Sequence, residues 1–144
     1  MFNDSPEHNK ALQHNRKVLL DLLHRLNVTE VTIEYEGGGD SGSVTNIHVV
    51  PAGLKPPPLQ ETLTIQRVTT AYKNGQVHHG LREETVTLEN ALDDFVMSWV
   101  DMHHSGWENN EGGSGTATID PKNDNFNLEH RTYYTETSYH DYAL

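Results

Sequence analysis

The spacing of apolar residues alternates between the helical period of about 3.6 and the strand period of two, and this order constrains the fold more than any other sequence feature. Two stretches have helical spacing. Their apolar residues are Leu12, Leu19, Leu22, Leu23 and Leu26 in the first stretch and Leu88, Leu92, Phe95, Trp99 and Met102 in the second. Ser5-Pro6-Glu7 predicts the start of the first helix, which we expect to run from about residue 6 to 26. Thr87 predicts the cap of the second helix.

Alternating apolar and polar residues predict strands between and after the helices. We expect them at residues 31–36, 44–50, 62–72, 77–86 and 116–120, and from 126 to about 136. Asn74-Gly75 predicts a type I′ hairpin turn, because both residues accept positive φ angles. Ile65 is out of phase with Val68, which predicts a bulge near Gln66 and Arg67.

This order of elements, αββββαββ with room for a further strand at the end, predicts a single α+β domain over residues 1–144. We expect an antiparallel sheet of about six strands with both helices packed on one face, because short turns join most of the strands. The proline-rich residues 51–60 predict a stiff connector, and residues 138–144 a frayed tail.

The charge is unevenly distributed along the chain. Of the net charge of -11, none comes from residues 1–82, which have eight acids and eight bases, while residues 83–144 have thirteen acids against Lys122 and Arg131. This composition argues against a phosphate-binding surface, so we expect no direct nucleic-acid binding.

No apolar run approaches the roughly 18 residues of a membrane helix, and there is no cysteine. We therefore expect a cytoplasmic protein without a membrane partner.

Two motifs that suggest catalysis or metal binding are discounted on context. Gly39-Asp40-Ser41-Gly42 matches the tetrapeptide around the nucleophile of chymotrypsin-like proteases, but every upstream histidine lies in the first predicted helix. The pair His78-His79 lies on a predicted strand, where adjacent side chains point to opposite faces and so do not readily bind one ion together.

Two similar glycine-rich segments, residues 36–42 and 111–115, each lie beside a predicted strand. One interpretation is a pair of bends whose strands lie close together in the sheet. The other is a binding site, because clustered glycines allow close backbone approach and carboxylates are ligands for calcium or magnesium. Binding candidates are Glu36, Asp40, Ser41, Gly42, Trp107, Glu108 and Glu111, and the weak metal candidates among them are Asp40, Glu108 and Glu111. For Trp107 the favoured interpretation is a core residue, and the alternative is an exposed aromatic anchor. No cofactor is predicted, and a divalent cation stays an alternative.

The residues Tyr35-Glu36-Gly37, Gly39-Asp40-Ser41-Gly42 and Gly106-Trp107-Glu108-Asn109-Asn110-Glu111-Gly112, with a closing strand around 131–136, resemble an uncharacterised family of small bacterial, plasmid and phage proteins, catalogued as a domain of unknown function. The resemblance spans about residues 17–142. It departs in the proline-rich connector and at Gly113-Ser114, where a bulkier aromatic is expected. It implies a bacterial or phage origin and transfers no mechanism.

Two functional hypotheses follow from the residues. The first is a non-enzymatic adaptor or inhibitor, acting in a phage, plasmid or defence context, that presents an acidic surface to a basic protein. In this hypothesis the surface includes Asp93, Asp94 and Asp101 on the outer face of the second helix. The alternative is a small metal- or ligand-dependent enzyme that uses the two glycine-rich acidic loops.

Overall fold

A computed structural model describes residues 6–38, 41–104, 112–133 and 140–143. It is an α+β structure with two α-helices, a short 3-10 helix at Pro58–Gln60 and six strands, and all of the strand pairs are antiparallel. The elements are α1 (Pro6–Arg25), β1 (Glu30–Gly38), β2 (Ser41–Val50), β3 (Thr62–Lys73), β4 (Gln76–Thr87), α2 (Leu88–His103), β5 (Gly113–Asp120) and β6 (Asn125–Thr132). The predicted fold class is confirmed.

The strands form two sheets, so the expectation of one sheet of about six strands is wrong. Four strands pair in the order β2-β1-β5-β6, and β3 pairs only with β4. The connector after β2 contains prolines, which lack the N–H that a strand ladder needs. A helix side chain takes the place of a neighbouring strand: the Asn15 amide nitrogen donates to the Gln66 carbonyl at 2.9 Å, and the Gln66 N–H donates to the Asn15 amide oxygen at 2.7 Å.

The local sequence determines where α1 ends and where α2 begins. Asn27 adopts a left-handed φ of 61°, which ends α1. The Val28 N–H then donates to the Leu23 carbonyl at 3.0 Å and the Asn27 N–H to the His24 carbonyl at 3.1 Å, as in a Schellman cap. The predicted cap of α2 is confirmed, since the Thr87 hydroxyl accepts from the Asn90 N–H at 3.3 Å.

The β3–β4 hairpin has the predicted turn but not the predicted bulge. Asn74 and Gly75 have φ angles of 53° and 76°, as a type I′ turn requires. The register from Thr62 to Lys73 is continuous with β4, and the irregularity of the four-stranded sheet lies between Glu34 and Tyr35 instead.

One apolar core joins the helices to the inner face of the four-stranded sheet, the face on which Val31 and Ile33 are fully buried. Phe126 of β6 illustrates the contact with both helices. The Arg16 guanidinium of α1 lies 4.3 Å from the centre of its ring, and the Phe95 ring of α2 meets it edge-on at 5.6 Å. Neither described helix is long and apolar enough to cross a membrane.

Candidate functional site

The two glycine-rich segments meet at one end of the four-stranded sheet. Gly37 of β1 pairs with Gly113 of β5, and Tyr35 pairs with Gly115. Gly112 has a φ of 79°, and a Cβ at this position would lie 2.0 Å from the Gly37 carbonyl oxygen. The described parts of the segments therefore form the end of β1 and the starts of β2 and β5, which are neighbours in the sheet, as the first interpretation of the glycines expected.

On the inner face of this end, the buried side chain of Tyr35 reaches from β1 across β5 to β6. The Tyr35 ring crosses over Gly115, which has no side chain, and its hydroxyl hydrogen-bonds to Nδ1 of His130 on β6 at 2.6 Å. The His104 ring, just after α2, stacks on His130 with ring centres 4.1 Å apart. Burial raises the pKa of Tyr35 to about 12, opposed by the positive charge of Arg131. Burial, then the neighbouring His104 and Arg131, lower the pKa of His130.

This cluster serves the packing of the sheet. Tyr35 is only 1% exposed, so its hydroxyl is shielded from any ligand in solvent. Neutral pH lies well below its pKa of about 12, so the hydroxyl is protonated and acts as a hydrogen-bonding group. Alternation in the sequence placed Tyr35 on a buried face, but no sequence signal linked it to His130.

On the outer face of the same end, the exposed ring of Tyr133 is hydrogen-bonded to the buried Ser114. The Tyr133 hydroxyl donates to the Ser114 hydroxyl oxygen at 2.6 Å, and Nε of Arg131 donates to the same oxygen at 3.3 Å. Ser114 is 8% exposed, whereas Tyr133 is 46% exposed. The Tyr133 ring is thus held in place by its hydroxyl while much of its surface faces solvent.

Tyr133 borders an open depression of about 620 Å³ on this face. The other lining residues are Glu36, Gly37, Gly38, Ser41, Gly42, Ser43 and Thr45. Three of the sequence-predicted binding residues therefore lie together here: Glu36, Ser41 and Gly42. Tyr133 was not among the predicted binding residues, because alternation indicated only that it belongs to the last strand.

The outer face is strongly acidic. Strand alternation places the side chains opposite the buried Val31, Ile33 and Tyr35 on this face, and cross-strand partners share it. Its charged residues in the described strands are five acids, Glu30, Glu34, Glu36, Asp120 and Glu129, and one guanidinium, Arg131. Arg131 forms an ion pair with Glu129 at 3.1 Å.

The predicted acidic face of α2 is only partly available to a partner. Asp94 forms an ion pair with Arg67 of β3, and Arg67 also pairs with Glu84 of β4. Asp93 and Asp101 are half-buried. Burial, followed by the charges of Asp94 and Glu89, raises the pKa of Asp93. We therefore place the more accessible acidic surface on the sheet.

The remaining sequence-predicted candidates, Asp40, Trp107, Glu108 and Glu111, lie outside the described residues. Within the described ranges, no group of three or more histidine, aspartate and glutamate side chains is arranged to hold a metal ion. The metal alternative thus concerns residues on which the structure gives no geometry.

Comparison with known proteins places the chain in a family without giving it an activity. No curated protein and no solved structure matches it. A model of a family of unknown function, DUF6878, matches residues 11–144, nearly the whole chain. This match confirms the expected kinship with an uncharacterised family: the chain belongs to the family of unknown function DUF6878.

Proposed function

We propose that this protein is a non-enzymatic interaction protein that binds a basic protein partner through the outer face of its four-stranded sheet. The observation that carries the proposal is the depression between Glu36 and Tyr133, on a face where five carboxylates accompany one guanidinium. Complementary charge gives such a surface its preference for a basic partner and speeds their encounter.

Glu36 and Tyr133 are suited to receive a lysine or arginine side chain. A carboxylate binds the charged group, and an aromatic face attracts a cation that lies over it. The bond from Tyr133 to the buried Ser114 restrains the ring before binding, which reduces the entropy lost on association. An exposed aromatic held in this way resembles the anchors that dominate protein interfaces.

Further carboxylates extend the surface beyond the depression. Glu34 and Glu129 lie on either side of Thr116 in one cross-strand row, and both are exposed. Within the described part of the chain, Glu34 and Glu36 form no ion pair. No described side chain compensates their charge, which supports their role in binding a partner.

The proposal is tested with a displayed library of random peptides selected on the purified protein. We expect the enriched peptides to be rich in lysine and arginine and to bind more weakly at high salt. Substituting Glu34, Glu36 and Glu129 by glutamine should weaken binding about tenfold, at ~0.5 kcal/mol for each exposed charge. Tyr133→Ala should weaken it further.

A charge-matched control separates this face from net charge alone. Asp21→Asn, Glu83→Gln and Glu89→Gln remove three exposed carboxylates from other surfaces. We expect this control variant to bind the selected peptides within about twofold of the unchanged protein, because exposed charges on remote surfaces are screened. Enriched peptides without basic residues, or equal losses in the two triple variants, would refute the proposal.

A further inference from the structure

Strand β4 has an edge that no other described strand covers. Within the described residues, β4 pairs only with β3, and the register of this pair is continuous from Thr62 to Lys73. Residues 76–78 and 81–83 of β4 are exposed. An exposed edge strand is a template for pairing with another chain, and proteins often interrupt such an edge with a proline or a β-bulge. Strand β4 contains neither of them.

The opposite edge of the hairpin shows which backbone groups β4 presents. The N–H and C=O of Gln66 on β3 both bond to the Asn15 side chain, so they point away from β4. Gln66 lies directly opposite Glu83. In an antiparallel pair, two opposite residues point their backbone groups either toward each other or both away. Glu83 therefore points its N–H and C=O to the free edge, and alternation gives Leu81 and His79 the same orientation.

The same part of the hairpin has exposed apolar side chains and little charge. Leu81 is 41% exposed, Val77 is 45% exposed, and Tyr72, the cross-strand partner of Val77, is 78% exposed. All three lie on one face of the hairpin. Apart from histidines, Lys73 is the one charged residue in the sequence from 68 to 81, whereas the whole chain has a net charge of -11. Two copies of the chain therefore meet with less repulsion here than at their acidic surfaces.

The backbone groups and charges of β4 restrict how two copies can pair antiparallel along this edge. Only alternate residues present backbone groups there, so a two-fold axis must pass through a residue and not between two residues. An axis at Arg82, Glu83 or Glu84 would place that charge directly opposite the same charge of the second copy, which is destabilising. An axis at Gly80 would place Glu83 opposite the apolar Val77. Axes nearer the ends of the strand would align fewer residues.

An axis at Leu81 satisfies both restrictions. It places Leu81 opposite Leu81 of the second copy and aligns residues 76–86 of both strands. It also places His79 opposite Glu83 of the second copy, and His78 opposite Glu84 of the second copy. A histidine ring N–H donates to a carboxylate whether or not the ring is charged. This register therefore gives each glutamate of the strand a hydrogen-bond donor and puts no like charges opposite each other.

We propose that two copies of this protein associate through β4, which pairs antiparallel with β4 of the second copy about a two-fold axis at Leu81. The two hairpins then form one four-stranded sheet, with the exposed apolar side chains of both copies on the same face. Such a contact is closed, so it produces a dimer and no larger assembly. The proposal uses other residues than the proposed protein-binding face and does not depend on it.

The first test is analytical ultracentrifugation of the full chain from about 5 to 500 μM. We expect a monomer–dimer equilibrium with a Kd on the order of 10–100 μM, because one pair of edge strands buries less surface than the ~1,600 Å² of a standard interface. A monomer at every concentration, or assemblies larger than a dimer, overturns the proposal.

Hydrogen exchange measured by NMR locates the contact on one edge of the hairpin. Exchange of the Leu81 and His79 amides should slow about fourfold between 20 μM and 1 mM protein, as the dimer fraction rises. The amides of Thr70 and Tyr72 point outward from β3 on the opposite edge and serve as the control. We expect their exchange to be unchanged. Equal slowing at both edges, or no slowing at Leu81, overturns the proposal.

A matched pair of proline variants tests the backbone contact. Leu81→Pro and Thr70→Pro each remove an N–H that points away from the hairpin, so neither removes a hydrogen bond between β3 and β4. With circular dichroism confirming the fold of each variant, we expect Leu81→Pro to weaken dimerisation at least about thirtyfold. Thr70→Pro should leave the Kd within about twofold. Equal Kd values for the two variants overturn the proposal.

Charge reversal tests the register. His79→Glu places a carboxylate opposite Glu83 of the second copy at two symmetric positions, so we expect dimerisation to weaken at least about tenfold. Adding Glu83→Lys should restore the Kd to within about threefold. Positions 79 and 83 of one strand are about 13 Å apart, so this rescue arises between copies. Adding Glu89→Lys on α2 makes the same charge change outside β4 and should not restore the dimer. Failure of Glu83→Lys to rescue, or equal rescue by Glu89→Lys, overturns the proposal.

Discussion

Gly115→Ala is a substitution for which the structure predicts a large loss of stability. The added Cβ would lie 2.1 Å from the Tyr35 hydroxyl oxygen, 2.3 Å from its Cζ and 2.5 Å from the Glu129 carbonyl oxygen. All three distances are far below van der Waals contact, and one of the atoms belongs to the backbone. The Tyr35 ring must therefore move, and its 2.6 Å hydrogen bond to His130 is broken.

The expected cost combines two effects. Overpacking a close-packed interior costs about 1–3 kcal/mol, and breaking a hydrogen bond between buried groups costs a further ~1–3 kcal/mol. Alanine also restricts the unfolded chain, which offsets about 0.4–1 kcal/mol. We expect the free energy of unfolding to fall by about 2–5 kcal/mol, measured by urea denaturation, and Tm to fall by roughly 10 °C for a domain of this size.

Gly80→Ala is the matched control, because it makes the same change in another strand. A Cβ there meets only the Thr69 hydroxyl oxygen, at 3.0 Å, which is the end of a side chain that can rotate away. We expect a change within about 0.5 kcal/mol. In a Tyr35→Leu background, Gly115→Ala should cost less, but a residual cost remains because the Glu129 carbonyl does not move aside. A cost at Gly115 equal to that at Gly80 would refute the packing argument.

Three further substitutions test other contacts. Asn15→Ala leaves the Gln66 N–H and carbonyl without their side-chain partner, so we expect a loss of about 1–3 kcal/mol in urea denaturation and faster hydrogen exchange of the Gln66 amide. The pKa of His130 is lowered in the folded state, so the unfolded state binds more protons. Stability should be complete above about pH 6.5 and fall as the pH drops through the lower folded pKa, with a shallower dependence in His130→Asn. Asp93→Asn removes a carboxylate whose pKa is raised by burial and by nearby acids including Glu89, so we expect a gain of about 0.3 kcal/mol at neutral pH that disappears below about pH 3.5.

Locally encoded features were predictable from the sequence. The first helix was expected at about residues 6–26 and is observed at Pro6–Arg25. Its start and end depend on neighbours in the chain, since Pro6 suits the first helical position and Asn27 accepts a left-handed φ. The turn at Asn74-Gly75 was predictable for the same reason.

Features that depend on long-range register were not predictable. Alternation predicted a strand from residue 116, but β5 begins at Gly113, although glycine is unfavourable within strands. The glycines are accommodated because β1 and β6 supply ladder bonds on both sides, and Gly115 gives Tyr35 the space to reach His130, 95 residues away. One residue of slip in the register would remove this contact.

The wrong bulge prediction has a related cause. It assumed that every apolar residue of β3 faces the core, so that Val68 had to be brought into phase with Ile65. In the structure Ile65 is 1% exposed, but the hairpin extends beyond the core, where Tyr72 is 78% exposed and Leu81 is 41% exposed. Beyond the core, the spacing of apolar residues does not indicate where a strand is irregular, because neither face of the hairpin has to be buried.

Ion pairs that form on folding also change which acids of the chain are left without a basic partner. The whole acidic excess of the sequence lies in residues 83–144, yet bases of the first half pair with acids of the second. Arg16 pairs with Asp124 at 2.9 Å, Arg67 with Glu84 and Asp94, and Arg82 with Glu84 at 3.5 Å. Each base of the first half that pairs in this way leaves one acid of that half without a basic counterpart. In the described strands, the acids of β1 that form no ion pair are Glu30, Glu34 and Glu36. The acidic surface that we propose for binding a basic partner therefore takes three of its five acids, Glu30, Glu34 and Glu36, from the half of the chain whose own net charge is zero, and substitutions in β1 test it most directly.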